Sequence, residues 1–212
     1  MSRRGKYIVI EGNDGTGKST QVERLEQRLL TEGIESIQIH EPDGTPISAR
    51  LRTIIKDGTL ERDGLTNILL FTAARHENWR QWVEPALASG KWVLSARNWV
   101  STVAYQGYGE NANIQQIESI TREFVGESYM HPDLELILTL EDEDIRKNRI
   151  DGRGELEQPD TFESRSSGFQ SKVNNGYIDF AGEKNLETID ASRDIDAVEQ
   201  DIWQKVLEIM ET

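Results

Sequence analysis

The amino-acid sequence predicts an α/β fold, a three-layer sandwich with a five-stranded parallel sheet flanked by helices, as one domain over residues 1–212. Two observations carry this expectation. Short apolar runs of strand length alternate with longer segments of helical periodicity, and a glycine-rich motif falls directly after the first run. Strands that alternate with helices imply a parallel sheet covered on both faces. Ligands of such sheets gather beyond the carboxyl ends of the strands.

The first strand is expected at residues 7–10. The first helix follows at 19–30, where Val22, Leu25, Leu29 and Leu30 recur at helical spacing. A second strand reads 36–39, a long helix 66–87 and a third strand 92–94. Helical spacing returns near 114–125, the fourth strand spans 134–140, the fifth 188–189, and a last helix covers 195–209. Between about 146 and 175 the apolar periodicity lapses, and Gly152, Gly154, Pro159 and Gly168 interrupt the stretch. A polar segment of that length is expected to act as a functional lid.

Composition narrows the function. At 212 residues with 36% hydrophobic residues, the chain can bury one sizeable core. No apolar run reaches the roughly 18 residues of a membrane span, and the run at 7–10 is too short for the core of a signal peptide. The chain has no cysteine, which rules out disulfides and thiolate metal sites. A cytoplasmic location is the default expectation. The net charge of −14 argues against nucleic acid as a partner, because such binding needs basic surface to displace counterions. It leaves room for a small nucleotide held by a few local donors.

Residues Gly12, Asn13, Asp14, Gly15, Thr16, Gly17, Lys18 and Ser19 fit G-x-x-x-x-G-K-[ST] at every fixed position, between an expected strand and an expected helix. This is the signature of a P-loop NTPase-type fold. Glycines let successive N–H groups turn inward, and the helix N-terminus adds positive potential. Lys18 is expected to bridge the β- and γ-phosphates of ATP, with the Ser19 hydroxyl on Mg2+ and Thr20 ending the ATP-binding stretch. A P-loop marks a phosphate site and not a reaction. A GTPase would add N-K-x-D, which this chain lacks. A motor ATPase would end a second apolar strand on an acid, where this chain reads Trp92-Val93-Leu94-Ser95-Ala96-Arg97. Small-molecule kinases are the class left in front.

Further motifs follow the P-loop: Glu41-Pro42-Asp43-Gly44-Thr45-Pro46, Leu70-Phe71-Thr72-Ala73-Ala74-Arg75 and Ser101-Thr102-Val103-Ala104-Tyr105-Gln106-Gly107. In order and spacing the chain resembles thymidylate kinases from about Lys6 to its end, including Thr188-Ile189-Asp190-Ala191. The resemblance implies transfer of the γ-phosphate of ATP to dTMP with Mg2+, by a homodimer packing helices such as 66–87 and 114–125. It implies that Asp14 accepts a hydrogen bond from the sugar 3′-hydroxyl, Phe71 stacks on thymine and Arg75 donates to its 4-oxo group. By the same resemblance Arg97 holds the acceptor's phosphate with help from Arg52. Tyr105 crowds the 2′ carbon, and Ser101 and Gln106 face the base edge. Arg149 and Arg153-Gly154-Glu155-Leu156 resemble the arginine-bearing lid of the bacterial enzymes, and Arg153 is the residue expected to close over the γ-phosphate.

The chain also departs from the family. Asp-Arg-Tyr/His usually follows the third strand, and here Ala96-Arg97-Asn98 stands there. Ala96 cannot touch magnesium, water or an arginine; Asp14, Glu11 and Glu41 are the acids that could compensate. His40 replaces an arginine, Asp43 a glycine, and Gln158 a further lid arginine. Two alternatives therefore stay open: a kinase for another pyrimidine monophosphate, and a catalytically impaired nucleotide-binding regulatory protein.

Overall fold

The computed structural model describes residues 4–152, 161–162 and 165–211. Five strands, β1 (Tyr7–Gly12), β2 (Ser36–His40), β3 (Trp92–Ala96), β4 (Leu134–Thr139) and β5 (Glu187–Asp190), form one sheet in the order β2-β3-β1-β4-β5. Every pairing is parallel. The helices are α1 (Lys18–Thr31), α2 (Pro46–Lys56), α3 (Gly64–Asn78), α4 (Glu84–Ala88), α5 (Trp99–Thr102), α6 (Ile114–Phe124), α7 (Glu127–Met130), α8 (Glu143–Asp151), α9 (Ser167–Lys184) and α10 (Ile195–Met210). Wider π-helical turns cover Trp79–Val83 and Val103–Gly109.

Central β1 is buried at every residue, which is why it reads as an unbroken apolar run. Strand alternation still sorts its side chains between two cores. Ile8 and Ile10 pack with Leu94, Leu136 and Leu138 against Val22, Leu25 and Leu29 of α1 and Ile202 and Trp203 of α10. Tyr7 and Val9 face the opposite core with Val93 and Ile137, where Ile68, Trp99, Val173 and Phe180 cover them. The expected three layers and five parallel strands are therefore present.

Two elements differ from their sequence expectations. The long helix expected at 66–87 begins at Gly64, where the Asp63 side chain accepts from Thr66 N at 2.7 Å, and widens into π turns at Trp79 before α4. Pro85 has no N–H for the carbonyl one turn back, so a regular ladder cannot run through this point. Between 146 and 175 the chain is also more helical than it reads, since α8 runs to Asp151 and α9 starts at Ser167. Phe169, Val173, Tyr177 and Phe180 form a helical stripe that the glycines obscured. Gly176 is there for closeness: a Cβ on it would meet Tyr108 Cβ at 2.7 Å, so α9 lies directly on the π turns of Val103–Gly109.

Candidate active site

The loop after β1 is shaped for phosphate. Gly12, Gly15 and Gly17 have φ of 142°, 88° and 89°, values that favour glycine. A Cβ on Gly12 would meet the Leu138 carbonyl oxygen at 2.4 Å, and one on Gly15 would meet Arg146 Cγ at 2.9 Å. Among the described helices longer than two turns, α1 alone has no side-chain N-cap: Thr45, Asp63, Asn113, Asp142, Ser166 and Asp194 cap the others. Its first amides are thus left for an anion. Lys18 Nζ donates to Asn13 O at 2.8 Å and lies 4.0 Å from Asp14 Oδ1. Ser19 and Thr20 follow on the exposed first turn of α1, with Ser19 Oγ 3.2 Å from His40 Nε2 at the end of β2.

Arg97 stands at the carboxyl end of β3 with φ 89°, a left-handed conformation that costs a non-glycine residue of order 1 kcal/mol. The surrounding bonds impose it. Glu11 Oε1 accepts from Asn98 N at 2.7 Å and Ser101 N at 2.9 Å, and its Oε2 accepts from Ser101 Oγ at 2.8 Å and Tyr177 OH at 3.0 Å. Arg97 Nη2 donates to Asp14 Oδ1, and Nη1 lies 3.1 Å from both Ser101 Oγ and Tyr177 OH. Tyr105 OH donates to Asp14 Oδ2 at 2.7 Å. Burial alone would depress Arg97, but Asp14, and after it Tyr105, Tyr177 and Glu11, raise it well above the usual arginine value. Burial pushes the Tyr105 and Tyr177 phenols up, so both stay protonated donors. This is a fixed cation with its fork turned toward the P-loop.

A cavity of about 280 Å³ opens between Arg97 and α3. The expected acceptor residues all line it: Asp14 and Arg97 at the P-loop end, with Arg52, Phe71, Arg75, Ser101, Tyr105 and Gln106 around the rest. The Phe162 ring closes it, 6.1 Å from Phe71 and edge-on to Tyr105 at 5.9 Å. Gln106 is buried, and neither atom of its amide has a hydrogen-bond partner, which leaves donor and acceptor for a ligand. Arg75 is more committed than its sequence role implied. It is 2% exposed and donates to Glu41 Oε2 at 2.8 Å, Thr102 Oγ1 at 2.7 Å and Asn98 O at 2.8 Å.

Of the acids that could have replaced the one missing at Ala96, none is idle. Glu11 organises the turn after β3, Glu41 takes Arg75 and the Tyr129 hydroxyl, and Asp14 takes Arg97. Ala96 lines the cavity with His40 as its register partner on β2. Burial, then Arg97 and Lys18, hold the His40 imidazole below its ordinary value, hence neutral at neutral pH. Arg149 Nη1 donates to Ala191 O at 2.9 Å on the β5 side, and Arg153, like Gly154, Glu155, Leu156 and Gln158, lies outside the described residues.

Sequence reasoning missed Tyr177, Phe162 and Arg146. Tyr177 and Phe162 carry no motif, and only tertiary packing brings them to Arg97 and Phe71. Arg146 is buried against Gly15 and belongs to the expected lid segment without having stood out in it.

A sequence model of the thymidylate kinase family matches residues 10–202. The chain is 37% identical to the thymidylate kinase of Magnetococcus marinus over 206 residues, covering 96% of each. It is 38% identical to that of Prochlorococcus marinus subsp. pastoris over 216 residues, covering 96% of this chain and 95% of the relative. With the Deinococcus radiodurans thymidylate kinase the identity is 35% over 207 residues, covering 97% and 98%.

Proposed function

The chain belongs to the thymidylate kinase family, a family of ATP-dependent phosphotransferases, and from that premise we propose that it transfers the γ-phosphate of ATP to dTMP, giving ADP and dTDP. The observation that carries this reading is the cavity that joins the P-loop to a flat aromatic pocket through Arg97. A phosphate on Arg97 lies beside Asp14 and Lys18, so donor and acceptor phosphates meet there.

Among the described residues no group of three His, Asp or Glu side chains could hold a metal unaided. The Ser19 hydroxyl at the mouth of the P-loop fits an ion that arrives with the nucleotide's phosphate oxygens, as Mg2+ does. Ser19 would hold it, and when bound it neutralises charge on the β- and γ-phosphates.

The chain's own groups supply positioning and charge. The α1 amides and Lys18 hold the donor's phosphates, and the Arg97 fork orients the acceptor's phosphate in line with the γ-phosphorus. An oxygen of the acceptor phosphate attacks that phosphorus, the bond to the β-phosphate oxygen breaks, and ADP departs. Asp14 and Tyr105 stand where the deoxyribose would lie, Phe71 offers its face to the base, and Gln106 faces the base edge with an unpaired amide. Arg153, within the expected lid segment, is proposed to add positive charge as the γ-phosphoryl moves.

A homodimer is part of the proposal. Leu65, Leu69 and Ala73 follow one another at four-residue steps on the exposed side of α3, with Leu65 41% and Leu69 49% exposed. Phe124 is 53% exposed, and its carbonyl lies against His76 of the same helix. That apolar stripe suits a second copy of the chain. A cytoplasmic setting is proposed from the substrates.

An ADP-release assay with ATP, Mg2+ and a panel of nucleoside monophosphates tests the reading. Turnover with dTMP well above that with ribonucleotides is expected. ATP binding without acceptor-dependent turnover would overturn it.

A further inference from the structure

The last residue of β2 points at the P-loop hydroxyl, and what it presents there is a nitrogen. His40 Nε2 lies 3.2 Å from Ser19 Oγ, on the wall of the same cavity. Its register partner on β3, where an oxygen ligand could have stood, is the methyl group of Ala96.

We propose that His40 joins Ser19 in the metal site, and that this hydroxyl–imidazole pair makes the protein favour Mn2+ over Mg2+. The proposal rests on the nucleotide-binding part of the function above and not on the identity of the acceptor.

Three observations support it. The first is distance. Ligands about 2.1 Å from a metal occupy adjacent corners of an octahedron about 3 Å apart, so Ser19 Oγ and His40 Nε2 already stand close to that spacing. The second is the state of the neighbouring acids. Glu41 is bonded to Arg75 and Tyr129, Glu11 to Asn98, Ser101 and Tyr177, and Asp14 to Arg97 and Tyr105. Asp43, the other carboxylate on the cavity wall, has Arg52 3.8 Å away. Glu23, one turn on from Ser19 on α1, is near enough to act on His40 electrostatically and is exposed, but the group in hydrogen-bond contact with Ser19 is His40. The third is ligand chemistry. Mg2+ asks for oxygen ligands and gives up water reluctantly, whereas imidazole affinity rises along the first transition series from Mn2+ onward. Mn2+ accepts phosphate oxygens, a hydroxyl and an imidazole in one octahedral shell.

The test is direct metal binding to the protein in the presence of ADP, with no acceptor, so it is separate from any failure of the dTMP assay. Mn2+ and Mg2+ affinities are measured for the wild type, His40→Ala and His40→Gln. Pulsed electron paramagnetic resonance on the Mn2+ complex, with 15N-labelled histidine, distinguishes the imidazole from adenine nitrogens. Nitrogen coupling from histidine is expected in the wild type and absent from both variants. His40→Ala should weaken Mn2+ binding by roughly 10- to 100-fold while changing Mg2+ binding less than twofold, and His40→Gln, which offers an amide oxygen in place of the imidazole, should likewise lower the Mn2+ to Mg2+ affinity ratio. His40 is exposed at the end of an edge strand, so both variants are expected to fold, which circular dichroism verifies. Absence of histidine coupling in the wild type, or an unchanged Mn2+ to Mg2+ ratio in His40→Ala, overturns the proposal.

Discussion

Glu41 and Arg75 form a buried ion pair that joins the turn after β2 to the last turn of α3, with Arg75 Nε 2.8 Å from Glu41 Oε2. Tyr129 OH closes it, 2.9 Å from each Glu41 oxygen. Burial pushes Glu41 up despite Arg75, so the carboxylate depends on its partners to stay charged. The same guanidinium reaches Thr102 and Asn98 next to Arg97, and it therefore braces the acceptor end of the cavity as well as lining it.

Removing one member of this pair strands the other charge in the core. Glu41→Ala is expected to cost about 3–5 kcal/mol and to lower the thermal midpoint by on the order of 10 °C. Calorimetry of the single and double variants checks this. A Glu41→Ala midpoint within 2 °C of wild type would show that the pair does not brace the fold.

Phe162 should act on the acceptor and not on ATP. Its ring meets both Phe71 and Tyr105, and each such aromatic contact is worth about 0.5–1.5 kcal/mol. Phe162→Ala is expected to raise the KM for dTMP roughly five- to fifty-fold, with the KM for ATP within twofold. Equal effects on both substrates would instead point to a disturbed lid.

Glu135 on β4 carries a pH dependence. Burial pushes its carboxyl up to about 8, with the Asn98 amide at 2.5 Å only partly opposing this. The folded protein then holds a proton on Glu135 that the unfolded chain, with an ordinary glutamate, releases near pH 4.5. Stability from this group is complete below that pH and is lost as pH rises toward 8. Glu135→Gln keeps an acceptor for Asn98 and should flatten the fall in unfolding free energy between pH 5 and 8, as read by denaturant titration. An unchanged slope in the variant would assign the pH dependence to other groups.

The exposed stripe of α3 predicts the oligomeric state. Leu69→Glu places a charge in the middle of the proposed dimer face, and sedimentation is expected to show the mass falling from two chains to one. A wild-type protein that already sediments as a monomer would remove this part of the proposal.

Much of the fold was legible because its signals are local. Strand runs at 7–10 and 92–94 fall inside β1 and β3, since a strand buried on both faces must be apolar whatever packs on it. The run at 36–39 falls inside the half-buried edge strand β2, where Ile37 and Ile39 alternate with polar residues. Helix α9 was not read, because its glycines look like breakers until Gly176 is seen against Tyr108. In the cavity, each residue expected to hold the acceptor is in the wall, yet the bonds that position them were invisible.

By itself the sequence determined the P-loop, the parallel sheet and the edge where chemistry occurs. Those depend on glycine conformational freedom, on apolar periodicity and on a lysine and a serine at a set spacing. Only the tertiary structure decided that Tyr177 reaches Arg97 from 80 residues away, that Glu41 claims Arg75, and that an imidazole stands beside Ser19. Such contacts arise from strand order and helix packing, which bring together groups that no local pattern links.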